Sequence, residues 1–122
     1  MANENLKNPH SATDNSGSGR TESDLIVVGE LNMDLILDQV NNLPSLEKEI
    51  VCEKMNLTIG SSSAIMALNA AALGLKIKFV GKVGNDDFGQ TCLNALKSRG
   101  IDTQNVLISD SDNTGLTCIY TQ

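Results

Sequence analysis

The sequence predicts an α/β fold built on a mostly parallel sheet, and three observations lead to that class. From Asp24 onward the chain is rich in Ala, Val, Ile and Leu, whereas the 122-residue sequence has only two Phe, one Tyr and no Trp. Short apolar runs that end in glycine alternate with stretches of helical spacing. Buried parallel strands have this continuous apolar character. We therefore expect parallel strands joined by right-handed helical crossovers.

Residues 1–23 differ from the rest of the chain in composition. Their apolar residues are Met1, Ala2, Leu6 and Ala12. Such a stretch buries too little apolar surface to offset the entropy of ordering it, so we predict a disordered polar tail and one domain at 24–122. The sequence shows neither a secretory signal nor a run of about 18 apolar residues. We therefore expect a cytoplasmic protein without membrane contact.

The first part of the domain predicts strands on both sides of a turn. Leu25 to Gly29 is a continuous apolar run that ends in glycine, which is typical of a buried parallel strand. Residues 41–45 have turn chemistry. Residues 49–59 alternate loosely between apolar and polar side chains, which favours half-exposed strands outside the main alternation of strands and helices.

A helix is predicted to begin at Gly60-Ser61-Ser62-Ser63, because serine is a favoured N-cap residue, and to end at Gly74. From Ala64 to Leu73 almost every face is apolar, so we expect this helix to be buried on most sides.

The second part of the domain predicts three more strands and one more helix. Residues 77–81 alternate as a strand, and further strands are predicted at 106–109 and 115–121. Asn85-Asp86-Asp87 begins a helix that Gly100 closes. We assign Asp86 and Asp87 to capping and turn formation rather than to paired catalytic carboxylates, because they stand directly before that helix.

Charge and cysteine spacing exclude two classes of partner. A formal net charge of -6 argues against nucleic acid, whose binding needs clustered Lys and Arg. Cys52, Cys92 and Cys118 are widely spaced, and the single histidine, His10, lies in the predicted tail. We therefore predict no metal site and expect reduced, mostly buried thiols.

Asn32 and Asp34 follow the first strand, at the strand end where ligands bind in open α/β sheets. Two residues apart on an extended chain, their side chains point the same way and could hold neighbouring hydroxyl groups. An equally good interpretation is that Asp34 is a turn residue and Asn32 a cap. Gly60 and the serines after it place backbone donors at a helix N-terminus, which is a generic binding arrangement.

Several motifs occur in one order without a gap. They are Gly29-Glu30-Leu31-Asn32-Met33-Asp34, Gly60 before an alanine-rich helix, Gly74 after it, and the run from Phe79 to Gly89. This order resembles the ribokinase and phosphofructokinase-B (PfkB) family of carbohydrate kinases over about Asp24 to Tyr120. Those kinases have a glycine pair that opens a helix, a glycine at its end, and a Gly-Asp-Asp-x-x-Gly-like turn after the next strand.

The resemblance implies a ribokinase-like α/β/α fold of three layers, with a small β lid formed by strands at about 36–59 and 114–121. It implies that Asp34 accepts hydrogen bonds from two hydroxyls of a sugar or sugar acid, that Asn32 assists, and that Gly60 and Ser61 bring backbone close to the sugar. In several relatives the lid is also a dimer interface, so the resemblance also implies a homodimer through the lid strands.

The chain departs from the family pattern at three positions of this site. Ser61 stands where the family usually has a second glycine, and Ser62 stands where ribokinase has a lysine. Ile65 replaces an asparagine that binds sugar in many members, and an isoleucine neither donates nor accepts a hydrogen bond. Ribose is therefore a poor match, and sugar acids or hexoses are better candidates for the substrate.

The family's catalytic base lies in a Gly-Ala-Gly-Asp-like motif that these 122 residues do not contain. We therefore assign no catalytic residue here and expect the base beyond residue 122, together with the site for ATP and Mg²⁺. On this interpretation the chain is the N-terminal, substrate-binding part of a kinase, is inactive alone and binds neither cofactor alone. The alternative is a complete non-catalytic module for sugar binding or dimerisation, although its unpaired sheet edge would favour aggregation. A flavodoxin-like nucleotide binder is disfavoured, because no phosphate loop follows the first strand.

Overall fold

The computed structural model describes residues 22–42 and 45–122. The elements are β1 (Leu25–Val28), β2 (Asn32–Asp38), β3 (Lys54–Ile59), α1 (Ser62–Ala72), β4 (Ile77–Gly84), α2 (Asp87–Ser98), β5 (Asp102–Ser109) and β6 (Gly115–Tyr120). The predicted tail lies outside the described residues except for residues 22 and 23, and so do two residues of the predicted turn at 41–45. Both remain predictions.

Strands β1, β4 and β5 form a parallel sheet in the order β1-β4-β5. Helices α1 and α2 pack on one face of it, where Val27 and Phe79 are neighbours in the β1–β4 register. The side chains of Phe79 and Leu96 are fully buried in this core. The predicted α/β class with a parallel sheet is therefore confirmed, and its stabilisation comes from apolar burial between sheet and helices.

The opposite face of the parallel sheet is open in the described part of the chain. Ile26, Val28 and Leu107 lie on that face and are 58%, 74% and 68% exposed. Parallel sheets in α/β proteins normally carry helices on both faces. The described residues thus supply two of the three layers that the family resemblance implies.

Strands β3, β2 and β6 form a second sheet in that order, with β2 antiparallel to β3 and parallel to β6. Its bounds differ from the predicted ones: β2 begins at Asn32, and residues 49–53 are not in a strand. Strand β3 is limited to the six residues that pair with β2 between Met33 and Asp38. That this sheet acts as a lid stays a prediction.

Helix α1 has the predicted ends but not the predicted burial. Ser61 is its N-cap, and Gly74 follows it with a φ of 94°, the left-handed conformation that glycine adopts most readily. Only Ala64 and Ala67 are buried, whereas Ile65 is 46% exposed. The expectation of burial on most sides was wrong, because within the described residues α1 packs against the sheet and α2 from one side only.

Two strands are longer than predicted. Strand β4 continues past Gly81 to Gly84, and β5 begins at Asp102 rather than at residue 106. Their parallel pairing runs from Lys78 opposite Asp102 to Gly84 opposite Ser109, with an irregularity between Lys78 and Val80. Backbone pairing therefore extends strand structure beyond the apolar residues that reveal it in the sequence.

The three cysteines are free, as expected. The expectation that most of them are buried was wrong. Cys92 is buried in α2, Cys52 is partly exposed and Cys118 is exposed on β6. The second sheet leaves Cys118 open because no other element of the described chain covers it. None of the described helices has the length and apolarity needed to cross a membrane.

Candidate functional site

The candidate site lies where the chain passes between the two sheets. One passage is the β1–β2 connection at residues 29–31, and the other leads from β3 through Gly60 and Ser61 into α1. The backbone N–H of Gly60 donates a 2.8 Å hydrogen bond to the carbonyl of Asn32, which holds the two passages side by side. Polar groups from both passages can therefore act together on one ligand.

Asp34 is a half-buried residue in the middle of β2, and its carboxylate lies against the backbone of Gly60. A Cβ on Gly60 would stand 2.7 Å from the Asp34 Cγ, so only glycine leaves room for the carboxylate. Among the described residues, no group donates a hydrogen bond to that side chain, because the Gly60 N–H donates to the Asn32 carbonyl instead. Asp34 thus presents carboxylate oxygens, which can accept hydrogen bonds, beside the N-terminus of α1.

Asn32 lies on the same face of β2 as Asp34, as their spacing predicts. Its Nδ2 donates a 3.3 Å hydrogen bond to Oγ1 of Thr117 on β6. Its Oδ1 is buried and has no hydrogen-bond partner among the described residues. Because an unpaired buried acceptor is costly, this oxygen is suited to a ligand that brings a hydroxyl donor.

Sequence reasoning missed Thr117. It stands opposite Asp34 in the β2–β6 register, about 80 residues further along the chain. The alternation of residues 115–121 predicted its strand but did not indicate which strand pairs with it. Only the sheet topology brings Thr117 to Asn32.

The serines at the start of α1 have different roles. The hydroxyl of Ser61 accepts a 3.2 Å hydrogen bond from the N–H of Ala64 and donates one of 2.8 Å to the carbonyl of Glu30. The hydroxyl of Ser63 donates to that carbonyl as well, also over 2.8 Å. Ser61 therefore serves the connection between α1 and the β1–β2 passage, and Glu30 and Ser63 join it as residues that sequence reasoning missed.

Ser62 and Ile65, the other two predicted site residues, lie on the first turns of α1 and are exposed. No side-chain hydrogen bond joins Ser62 to another described residue. Ile65 presents apolar surface where an asparagine would present an amide. The structure thus brings Asn32, Asp34, Gly60 and Ser61 together, and leaves Ser62 and Ile65 at the edge of the group.

Asp86 is the N-cap of α2, in agreement with the assignment of this residue to capping. Its Oδ1 accepts a 2.7 Å hydrogen bond from the N–H of Gly89, and its Oδ2 accepts one of 2.7 Å from the N–H of Thr114. The Thr114 and Gly89 amides hold the pKa of this carboxyl below its usual value. Asp87 is an exposed acid in the first turn, where it faces the positive end of the helix dipole.

An exposed ion pair holds the connection from β5 to β6. Nζ of Lys82 lies 2.6 Å from Oδ2 of Asp112, which also accepts a 2.8 Å hydrogen bond from Ser109. The Lys82 ammonium and the Ser109 hydroxyl lower the pKa of Asp112. Because both charged groups are largely in solvent, this pair orders the connection more than it stabilises the fold.

The chain is similar in sequence and fold to a family of carbohydrate kinases. Residues 22–122 match the family model of the pfkB family carbohydrate kinases, so the chain belongs to that family. It is 35% identical over 94 residues to a 5-dehydro-2-deoxygluconokinase of Geobacillus thermodenitrificans, and the aligned segment covers 76% of this chain and 26% of the relative. It is 30% identical over 95 residues to a ribokinase of Haemophilus influenzae, and this aligned segment covers 78% of this chain and 31% of the relative.

Solved structures agree with this assignment. An Arabidopsis thaliana ribokinase, solved with ribose and ATP, superposes with a TM-score of 0.74 at 26% identity over 80% of this chain and 32% of its own. A fructokinase of Halothermothrix orenii superposes with a TM-score of 0.66 at 25% identity, over 78% of this chain and 32% of its own. The ribokinase-like fold is therefore confirmed, and the chain spans about a quarter to a third of the length of these relatives.

Proposed function

We propose that this chain is the substrate-binding N-terminal part of an ATP-dependent carbohydrate kinase, which transfers the γ-phosphate of ATP to a hydroxyl of a sugar or sugar acid. The observation that carries the proposal is the Asp34 carboxylate, which lies against Gly60 on the same face of β2 as Asn32, whose buried Oδ1 has no hydrogen-bond partner within residues 22–42 and 45–122. Family membership supplies the reaction class. The cytoplasm, where ATP and sugar phosphates are handled, is the proposed location.

The chain's own residues would bind and orient the sugar. The Asp34 carboxylate accepts from two hydroxyls, Asn32 Oδ1 accepts from a third donor, and the backbone at Gly60 and Ser61 comes close to the ring. The second sheet acts as a lid that excludes water from the bound sugar. Fixing the sugar in this way lowers the barrier by orientation, which is a large part of phosphoryl-transfer catalysis.

ATP and Mg²⁺ are assigned to the longer protein. When bound, ATP supplies the phosphoryl group and Mg²⁺ neutralises its charge. Among the described residues no group of three or more His, Cys, Asp or Glu side chains is arranged to hold a metal ion. The residues that would hold ATP and Mg²⁺, and the catalytic base, are proposed to lie beyond residue 122.

For the substrate we propose a sugar acid or a hexose in preference to ribose. Ile65 removes one polar contact at the edge of the site, which is the contact that an asparagine would make. A relative named 5-dehydro-2-deoxygluconokinase at 35% identity supports this choice. A ligand panel that contains ribose, fructose and a keto-sugar acid discriminates among them, and tightest binding of ribose would contradict the choice.

The test of the site uses the full-length protein. Asp34→Asn keeps the shape of the side chain and removes its charge, so sugar affinity measured by calorimetry should fall about 10- to 100-fold, the loss expected for hydrogen bonds to a charged group. Asp38→Asn is the matched control, because Asp38 lies on the same face of β2 but contacts Thr121 instead. Unchanged affinity in Asp34→Asn would remove Asp34 from the site.

A second test concerns the reaction. A chain restricted to residues 1–122 should form no sugar phosphate from ATP, whereas the full-length protein should. Turnover by the short chain would contradict the placement of the base beyond residue 122. Sugar binding by the short chain, together with no phosphorylation by the full-length protein, would support the alternative of a non-catalytic sugar-binding module.

We also propose that the protein forms a homodimer through the exposed part of the apolar face of the second sheet, away from the core contact that Met33 makes on the same face. Along each strand, the side chains on that face alternate with those on the face of Asn32 and Asp34. Its exposed residues are Met55, Leu57, Leu116, Cys118 and Tyr120. A contiguous apolar surface of this kind favours association. Leu57→Glu should yield a monomer in sedimentation, whereas Leu46→Glu, at a 96% exposed position away from this face, should leave a dimer. A monomeric unmodified protein would contradict the proposal.

A further inference from the structure

We propose that Ser61 is a positioning residue, which sets the geometry of the sugar site by tying the β1–β2 connection to the N-terminus of α1. The inference rests on the proposed function and adds a role for a position where this chain departs from the family's glycine. Ser61 would act through the backbone of Gly60 and through Asn32, without donating to the sugar.

The first support is the pair of bonds made by one hydroxyl group. Ser61 Oγ accepts from the N–H of Ala64 and donates to the carbonyl of Glu30, so it joins α1 to the β1–β2 connection. Ser63 donates to the same carbonyl, which fills both of its lone pairs. The contact is close: a Cβ on Gly29 would lie 2.5 Å from both side-chain atoms of Ser63.

The second support is the backbone of Ser61 itself. It has a φ of 66° and a ψ of 135°, a conformation that side chains with a Cβ rarely adopt and that glycine adopts freely. A residue other than glycine persists there only when its surroundings hold it. The Ser61 hydroxyl is held by its hydrogen bonds to Ala64 and Glu30 and by a 3.4 Å contact with the Ser63 hydroxyl, none of which a glycine could make.

The third support is the short path from Ser61 to the sugar-binding groups. Glu30 stands two residues before Asn32, and Gly60 stands directly before Ser61. Gly60 in turn donates to the Asn32 carbonyl and lies against the Asp34 carboxylate. Locking Ser61 to Glu30 therefore holds Asn32 and Asp34 in place before the sugar arrives, and a preorganised site loses less conformational freedom on binding.

The test separates this positioning role from a structural one, because Ser61→Gly should lower sugar affinity without lowering stability. Glycine removes the backbone strain together with the hydroxyl, so the melting temperature of the full-length protein should stay the same or rise. Sugar affinity should nevertheless fall about three- to tenfold, the range for one lost hydrogen bond. In kinetics the loss should raise KM and leave kcat unchanged.

Two further variants complete the experiment. Ser61→Ala keeps the strain and loses the hydroxyl, so both stability and affinity should fall. Ser98→Ala is the matched serine control: its hydroxyl bonds only within the last turn of α2, and affinity should not change.

If the sugar affinity of Ser61→Gly equals that of the unmodified protein, the positioning role is overturned. A loss of affinity in Asp34→Asn would then show that the proposed function survives. If the unmodified full-length protein binds none of the sugars tested, the proposed function fails and this inference fails with it.

Discussion

Asp86 joins helix α2 to the residue that precedes strand β6, because one of its carboxylate oxygens accepts from the N–H of Gly89 and the other accepts from the backbone N–H of Thr114, each at 2.7 Å. Thr114 is 7% exposed, and its hydroxyl accepts a 2.9 Å hydrogen bond from the N–H of Gly84 at the end of β4. The parallel sheet, a helix and the second sheet are therefore joined at one point. A substitution at Asp86 should be felt in both sheets.

Acid should weaken this junction. The Thr114 and Gly89 amides lower the pKa of Asp86 from its reference value of 3.8, so the ionised form stabilises the folded protein above that reference value and the contribution is lost as pH falls below it. Asp86→Asn should be less stable than the unmodified protein at neutral pH. Its melting temperature should also fall less between about pH 5 and about pH 3.

The pH comparison has a control in Asp112, whose pKa is lowered by Lys82 instead. Because that ion pair is exposed, Asp112→Asn should change the neutral-pH melting temperature less than Asp86→Asn does. Parallel melting curves for Asp86→Asn and the unmodified protein across this pH range would contradict the account of the junction.

Gly60→Ala should weaken sugar binding although residue 34 is still an aspartate. The new Cβ would overlap the Asp34 carboxylate, so that side chain must move out of the site. We expect a loss of sugar affinity comparable to that of Asp34→Asn, about tenfold or more, measured by calorimetry on the full-length protein.

The control for this change is Gly74→Ala. Nothing lies within 4 Å of a Cβ at Gly74, but its φ of 94° is unfavourable for alanine. This variant should lose about 1–2 kcal/mol of stability and keep its sugar affinity. Equal affinity losses in the two variants would mean that destabilisation, rather than displacement of Asp34, is responsible.

Thiol reactivity should distinguish Cys92 from Cys118. Burial, and secondarily the charge of Asp86, raises the pKa of Cys92 to about 11, and its Sγ lies 3.5 Å from Sδ of Met33 in the core. With a maleimide reagent at neutral pH, mass spectrometry should find Cys118 labelled first in dilute protein and Cys92 labelled only after unfolding. Rapid labelling of Cys92 in the folded protein would contradict its burial.

The sequence by itself determined the local structure. The helix ends at Ser61, Asp86, Gly74 and Gly100 follow from hydrogen-bonding and backbone preferences that act within a few residues. The shared direction of Asn32 and Asp34 follows from strand periodicity. The family resemblance then connected these local signals to one order of elements, and the structure confirmed the fold.

Only the tertiary structure decided which distant groups meet. Thr117 reaches Asn32, and Thr114 reaches Asp86, because β6 pairs with β2 after the chain has left the parallel sheet. Likewise, Ile65 and Cys118 are exposed although their apolar character suggested burial, since burial depends on whether another layer covers a face. Strand pairing and layer packing join residues that are far apart in sequence, and no local pattern records such a pairing.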